Sequence, residues 1–185
     1  MIETERLVLR KPALEDLDRW AEMMAADESA RYIGGVQAKS TVWRIVMSHA
    51  GMWSLTGVAM FSVIEKSTNR WIGRVGPWQP LEWPGSEVGW GLHPDAWGKG
   101  YAFEAACASM EYAFGQLGWT DVIHCINPAN EPSKRLARRL GSVLRGPGKL
   151  PAPYENEPVE LWGQSRDEWV ASSNARRTGP GPSGA

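Results

Sequence analysis

Hydrophobic and polar positions along the chain alternate between two periods. Leu7 and Leu9 are interleaved with charged Arg6 and Arg10, so residues 4–10 read as a first strand, which Pro12 ends. Leu14, Leu17, Trp20, Ala21 and Met24 then recur at helical spacing, with Glu15, Asp16 and Asp18 early, where the helix dipole favours acids. Residues 31–37 carry Gly34 and Gly35 and read as a loop; a second helix follows from Ser40, its expected N-cap, to about Trp53. Residues 59–65 and 71–75 predict a hairpin turning at Ser67, Thr68, Asn69 and Arg70. Pro77, Pro80 and Pro84 mark residues 76–85 as an irregular loop. Residues 86–92 return to period two. A helix over 103–117 buries Phe103, Ala106, Met110, Ala113, Phe114 and Leu117 and stops at Gly118. Residues 121–126 read as a strand, 133–140 as a short helix, and 159–162 as a late strand. Residues 174–185, rich in Gly, Pro and Ser, are expected to form a disordered tail, which leaves 1–173 as one domain.

Composition narrows the function classes. A chain of 185 residues has room for a substantial core. A net charge of −1 gives no electrostatic footprint for nucleic acid. No apolar run approaches a membrane span, and no basic-then-apolar leader opens the chain, so a cytoplasmic protein without a membrane partner is expected. Cys107 and Cys125, with His49, His93 and His124, lack metal-ligand spacing, so no metal is expected. His93 beside the glycine loop reads as a packing or capping residue. Eleven tryptophans are many for this length. Trp78 and Trp83, set among Pro and Gly, could form an aromatic wall beside an acceptor pocket or simply pack the sheet.

The chemistry centres on Trp97-Gly98-Lys99-Gly100-Tyr101-Ala102, which lies between a strand and a helix. A glycine loop there leaves backbone N–H groups free at a helix N-terminus, an arrangement that holds phosphates. A Walker loop is excluded, because Gly98 and Gly100 are one residue apart and Lys99 is followed by Gly100. A dinucleotide fingerprint needs a small third residue, and Phe103 stands there. Gly100 and Ala102 match the acyl-CoA loop pattern Arg/Gln-x-x-Gly-x-Gly/Ala, with Trp97 in place of Arg or Gln. Downstream, Asn130-Glu131-Pro132-Ser133 opens a helix that ends in Leu140-Gly141. Together these segments resemble the two signatures of the GNAT N-acetyltransferases, in the RimJ/RimL-like branch. The resemblance runs from Thr4-Glu5-Arg6-Leu7 to Pro158-Val159-Glu160-Leu161-Trp162.

That resemblance implies an α/β (α+β) fold with a mixed, mostly antiparallel central sheet, flanked by helices and splayed where acetyl-CoA enters. It implies coenzyme contacts at Leu92, Trp97, Gly98, Lys99, Gly100, Tyr101, Ala102, Asn130, Ser133 and Arg135. Lys99 reads equally as an exposed loop lysine, and Asn130 equally as a helix cap. Lys134, Arg135, Arg138 and Arg139 are expected on the outer face of the short helix, with Arg135 the candidate for the 3′-phosphate. The family's tyrosine acid is replaced by Ala137, and its usual Gly-Phe by Gly141-Ser142. Ser133 resembles the serine that RimL-like members use near the leaving group. Alternation along residues 86–92 puts Glu87 on the side of Gly89 and Gly91, with open space beside it. An ammonium must lose a proton before it attacks, so Glu87 is the candidate base, with Glu65 and Glu82 as rivals. The expected partners are acetyl-CoA and an amine acceptor, either a peptide N-terminus or a small molecule, on a monomer or homodimer. Two other outcomes stay open: a catalytically degenerate acetyl-CoA-binding module, and an antibiotic-modifying acetyltransferase.

Overall fold

The computed structural model describes residues 1–178, with side chains to residue 172. The elements, in chain order, are β1 (Ile2–Glu3), β2 (Leu7–Arg10), α1 (Leu17–Ala25), α2 (Asp27–Ala30), α3 (Lys39–Leu55), β3 (Phe61–Glu65), β4 (Arg70–Trp78), β5 (Glu87–Leu92), α4 (Tyr101–Gly115), β6 (Asp121–Ile126), α5 (Glu131–Leu140), β7 (Val143–Gly148), β8 (Val159–Ser165) and α6 (Arg166–Thr178). The strands form one sheet in the order β1-β2-β3-β4-β5-β6-β8-β7. Every pairing is antiparallel except β5 with β6. The expected mixed, mostly antiparallel sheet is therefore present.

Two apolar layers cover the sheet. On one face, Ala105, Ala106, Met110, Ala113 and Phe114 of α4 pack on Leu7, Leu9, Val63, Ile72, Val75, Val88 and Leu92. On the other, Trp20, Met23 and Met24 of α1 and Val42 and Val46 of α3 close over Ile64 and Trp71. Burying this area drives the fold, at about 25 cal/mol per Å². The β5–β6 pairing is short. Only Glu87 and Ile123 are in register, and Ile123 N–H donates to the Ser86 carbonyl at 2.9 Å. Beyond that point the strands separate.

Several elements differ from the sequence pattern. Helix α3 begins at Lys39 behind Ala38, which has no capping side chain; Ser40 lies inside the helix and is not its cap. Strand β4 continues through Gly76 and Pro77 to Trp78, shortening the loop expected at 76–85. Strands β1 and β7 and helices α2 and α6 had no counterpart in the pattern. The tail expected over 174–185 is helical to Thr178; residues 179–185 lie outside the described residues.

Candidate functional site

The glycine loop is held open from both sides. Gly98 has φ +72° and Gly100 φ +80°, left-handed values that a residue with a Cβ seldom adopts. No hydrogen bond from the N–H groups of Gly98, Lys99, Gly100, Tyr101 or Ala102 is found among the described residues. The expected row is corrected at its start. Trp97 N–H donates to the Pro94 carbonyl at 3.1 Å, and the Trp97 indole N–H donates to the Leu92 carbonyl at 2.9 Å. Trp97 and Leu92 thus brace the loop, and the free row begins at Gly98. Arg6 clamps the other flank: its Nη1 donates to the Lys99 carbonyl at 2.9 Å, and its Nε donates to Glu104 of α4 at 2.7 Å. The guanidinium also lies 4.6 Å over the Tyr101 ring. Lys99 itself is exposed. A cradle of free donors at the start of a fifteen-residue helix fits a diphosphate.

Asn130 and Ser133 open α5. Asn130 Oδ1 accepts from Ser133 N–H at 3.2 Å, so the side chain caps the helix and keeps its Nδ2 as a donor. Trp90 Nε1 donates to Ser133 Oγ at 3.1 Å, which ties β5 to α5 across the splay. A hydroxyl that accepts from an indole keeps its own O–H for another acceptor. Arg135 is exposed. Lys134 departs from the expected outer face: it is buried, its Nζ donating to the Pro128 carbonyl and pairing with Glu131 at 2.6 Å. Arg138 and Arg139 instead lie over the rings of Trp162 and Phe103. Ser142, standing where the family has Phe, is buried between His124 and Gln164, at 2.9 Å from each. His124 Nδ1–H donates to the Val88 carbonyl, so its Nε2 accepts from Ser142. Burial lowers the His124 pKa to about 4, and the imidazole is neutral at pH 7.

Glu87 lies on the opposite face of β5 from Trp90. It is 6% exposed, neither solvated nor beside open space. The space expected over Gly89 and Gly91 is filled from elsewhere: a Cβ at Gly89 would meet Met60 Cε at 2.5 Å, and one at Gly91 would meet Ile33 Cδ1 at 3.3 Å. Its carboxylate is oriented by Trp83 Nε1–H at 2.6 Å and Cys125 N–H at 3.0 Å. Burial pushes the Glu87 carboxyl up to about 6, while those hydrogen bonds and the Arg74 charge hold it back. A carboxylate has about four lone-pair positions, so capacity remains for an incoming proton. Burial and Glu87 also raise the Cys125 thiol far above its ordinary pKa, which leaves it un-ionised and a poor nucleophile. The rivals do not share this setting. Glu65 bonds Thr68 and Tyr101 behind the glycine loop, and Glu82 is exposed in the loop after β4.

The tryptophans form a continuous wall that ends at Glu87. Trp71 stacks on Trp20, Trp20 tilts against His49, His49 stacks on Trp78 at 4.7 Å, and Trp78 meets Trp83 edge-on at 6.3 Å. Burial, with the Arg74 charge second, lowers the His49 pKa to about 3. His93 accepts from Asp95 N–H at 3.3 Å, a capping role. Sequence reasoning missed Arg74, Met60, Tyr154, Trp90 and His124. Met60, Arg74, Trp90 and His124 lay in segments read as strands, and none of them carried a chemical signal there.

The pattern of the acetyltransferase (GNAT) domain family matches residues 6–143 of the chain. The chain is 29% identical over 157 residues to the uncharacterized N-acetyltransferase YnaD of Bacillus subtilis (strain 168), covering 84% of this chain and 90% of that protein. It is 33% identical over 151 residues to the uncharacterized N-acetyltransferase p20 of Bacillus licheniformis, covering 77% of this chain and 82% of that one. Among solved structures, an acetyltransferase of Agrobacterium tumefaciens superposes with a TM-score of 0.77 at 27% identity, over 89% of this chain and 94% of that one. RimL, a ribosomal L7/L12 α-N-protein acetyltransferase solved with coenzyme A, superposes with a TM-score of 0.71 over 89% of this chain and 97% of its own. At 18% identity the likeness to RimL is one of fold.

Proposed function

The chain belongs to the GNAT acetyltransferase family, and on that premise we propose that it transfers acetyl from acetyl-CoA to a primary amine by direct attack in a ternary complex. The observation that carries this reading is the free N–H row at residues 98–102, next to a sheet that opens between β5 and β6. Glu87, a buried and oriented carboxylate, stands where that opening begins. Bound acetyl-CoA supplies the activated thioester.

The remaining work falls to side chains and main chain already in place. The N–H groups of Gly98, Lys99, Gly100, Tyr101 and Ala102 hold the diphosphate, and Lys99 adds a point charge. Asn130 Nδ2 donates to the pantetheine arm, and Arg135 serves the 3′-phosphate. Glu87, ionised above about pH 6, takes the proton that an acceptor ammonium must lose. Ser133, held by Trp90, directs its O–H at the negative charge that grows on the departing sulfur. Holding both substrates in one cleft supplies a large part of the acceleration.

An acceptor screen tests the reading. Purified protein with acetyl-CoA and a panel of amines should release thiol with at least one acceptor class. Silence across the panel, with tight acetyl-CoA binding by calorimetry, would show a binding module in place of an enzyme.

A further inference from the structure

The face of the sheet that carries Glu87 also holds a positive charge, Arg74, that makes no close ion pair among the described residues. Arg74 stands in β4 between Ser62 of β3 and Gly91 of β5. Gly91, Gly89 and Glu87 follow one another on the same face of β5, opposite Arg74, Gly76 and Trp78 of β4. Glycines at 89, 91 and 76 carry no side chain of their own there, and Met60, Ile33 and Phe61 fold in over them.

A guanidinium has five donors. Arg74 Nη1 reaches only the Met60 sulfur, at 2.7 Å, and sulfur is a weak acceptor. Arg74 Nε is buried with no hydrogen-bond partner. The Trp20 ring lies 5.9 Å from its Cζ. Glu87 and Tyr154 act on it through space, without a hydrogen bond to either. Arg74 is half-buried, and a cation held partly away from water is ordinarily paired. The other arginines of the chain that face acids, Arg6, Arg10, Arg19, Arg31, Arg70 and Arg145, all form close ion pairs. Violations of this kind concentrate at functional sites.

An anion brought by the substrate would complete the arrangement. Resting on the transfer reading above, we propose that the acceptor is a small amine carrying its own carboxylate, which Arg74 binds while the ammonium faces Glu87. The planar fork of Arg suits a carboxylate bidentately. The Met60 side chain lies over Gly89 and against Arg74, so an acceptor seated here takes the place of that flexible thioether, which favours an acceptor with an apolar side chain.

Matched pairs test this. Thiol release is compared for phenylalanine and phenylalanine amide, and for methionine and methionine amide. The acids should show kcat/KM higher by about 10-fold or more, the worth of a charge-assisted hydrogen bond, although the amide amines are less basic. Arg74→Gln should raise KM for the acids about 10- to 100-fold, at least about 10-fold more than it raises KM for the amides, and leave the acetyl-CoA Kd unchanged. Amides acetylated as well as acids, or an Arg74→Gln loss equal for both, would overturn the proposal. A separate readout uses the wild-type protein saturated with CoA. Calorimetry should detect N-acetylphenylalanine at least about 10-fold tighter than its amide. Equal binding, or none, also overturns it. Discrimination without turnover of any amine would keep the anion site and reject the transfer.

Discussion

The two ends of the proposed reaction path are built in opposite ways. At the glycine loop the ligating groups are main-chain N–H donors from one continuous stretch, and they are left open. At Glu87 the groups are mostly side chains, gathered from β4, β5 and the loops that carry Met60 and Trp83, with one main-chain N–H from Cys125 of β6, and most are already engaged. The contrast separates two tasks. A coenzyme common to a whole family can be gripped by backbone, whose donors survive most substitutions. An acceptor peculiar to one enzyme has to be recognised by side chains, whose identity is free to change. On the proposed reading, common chemistry falls to residues 98–102 and individuality to Arg74, Glu87, Trp83 and Tyr154.

Breaking the main-chain end should have the largest effect. Gly100 has φ +80°, and a Cβ there would come within 3.5 Å of Arg6 Nη2. Gly100→Val forces a β-branched residue into the left-handed region and turns the donors away. The acetyl-CoA Kd should rise about 100-fold or more, the equivalent of two or three lost hydrogen bonds. Gly57→Val is the control: its φ is +72° in open space away from the loop, so it carries the same strain and should bind acetyl-CoA normally. Normal binding by Gly100→Val would remove the loop from the site.

At the side-chain end, Glu87→Gln should lower kcat about 100-fold while changing the acetyl-CoA Kd by no more than about 2-fold. In the wild type, kcat should rise with pH and level off above about 6, where Glu87 is ionised. The variant should lose that inflection. Full kcat across pH in Glu87→Gln would exclude Glu87 as the base. Ser133→Ala removes one hydrogen bond to developing charge and should cost about 10-fold in kcat.

The same contrast explains what could be read in the sequence. The strand, loop and helix around Gly100 are contiguous, and their periods and glycines specify them locally. The second signature at Asn130 and Ser133 is equally local. The Glu87 surroundings depend on register: Trp78 opposite Glu87, Gly76 opposite Gly89 and Arg74 opposite Gly91. A one-residue slip would send Arg74 to the other face, and no local pattern fixes that choice. Met60 fills the space over Gly89 from a different strand connection, so two glycines that read as a gap are packed. Helix α6 was invisible because Trp169 is the one buried residue among its described side chains and its sequence is mostly polar. Strand β7 carries Gly146 and Pro147, which read as a turn. Lys134 repeats with the charged face of α5, yet the helix start folds it over the Pro128 carbonyl.

The smallest expected effect is one of slope, and it separates the buried histidines from Glu87. His49 and His124 have pKa values lowered to about 3 and about 4, so the unfolded chain binds their protons first, near 6.5. Their stabilising contribution is complete above pH 6.5 and falls as the pH drops toward those values. Glu87 runs the other way. Its folded pKa of about 6 lies above the unfolded 4.5, so its contribution is complete below 4.5 and is lost as the pH rises through 6. Between about pH 5 and 6 the unfolded chain takes up two histidine protons while the folded chain takes up one carboxyl proton. For these three groups the net is about one proton, so together they cost roughly 1 kcal/mol of stability per pH unit of acidification. Glu87→Gln removes the opposing carboxyl, and the slope should steepen, their share of it roughly doubling. Urea unfolding at pH 6.0, 5.5 and 5.0 measures both slopes. An unchanged slope in the variant would mean that Glu87 titrates at its ordinary value in the folded protein, and the case for it as a base poised near neutrality would go with it.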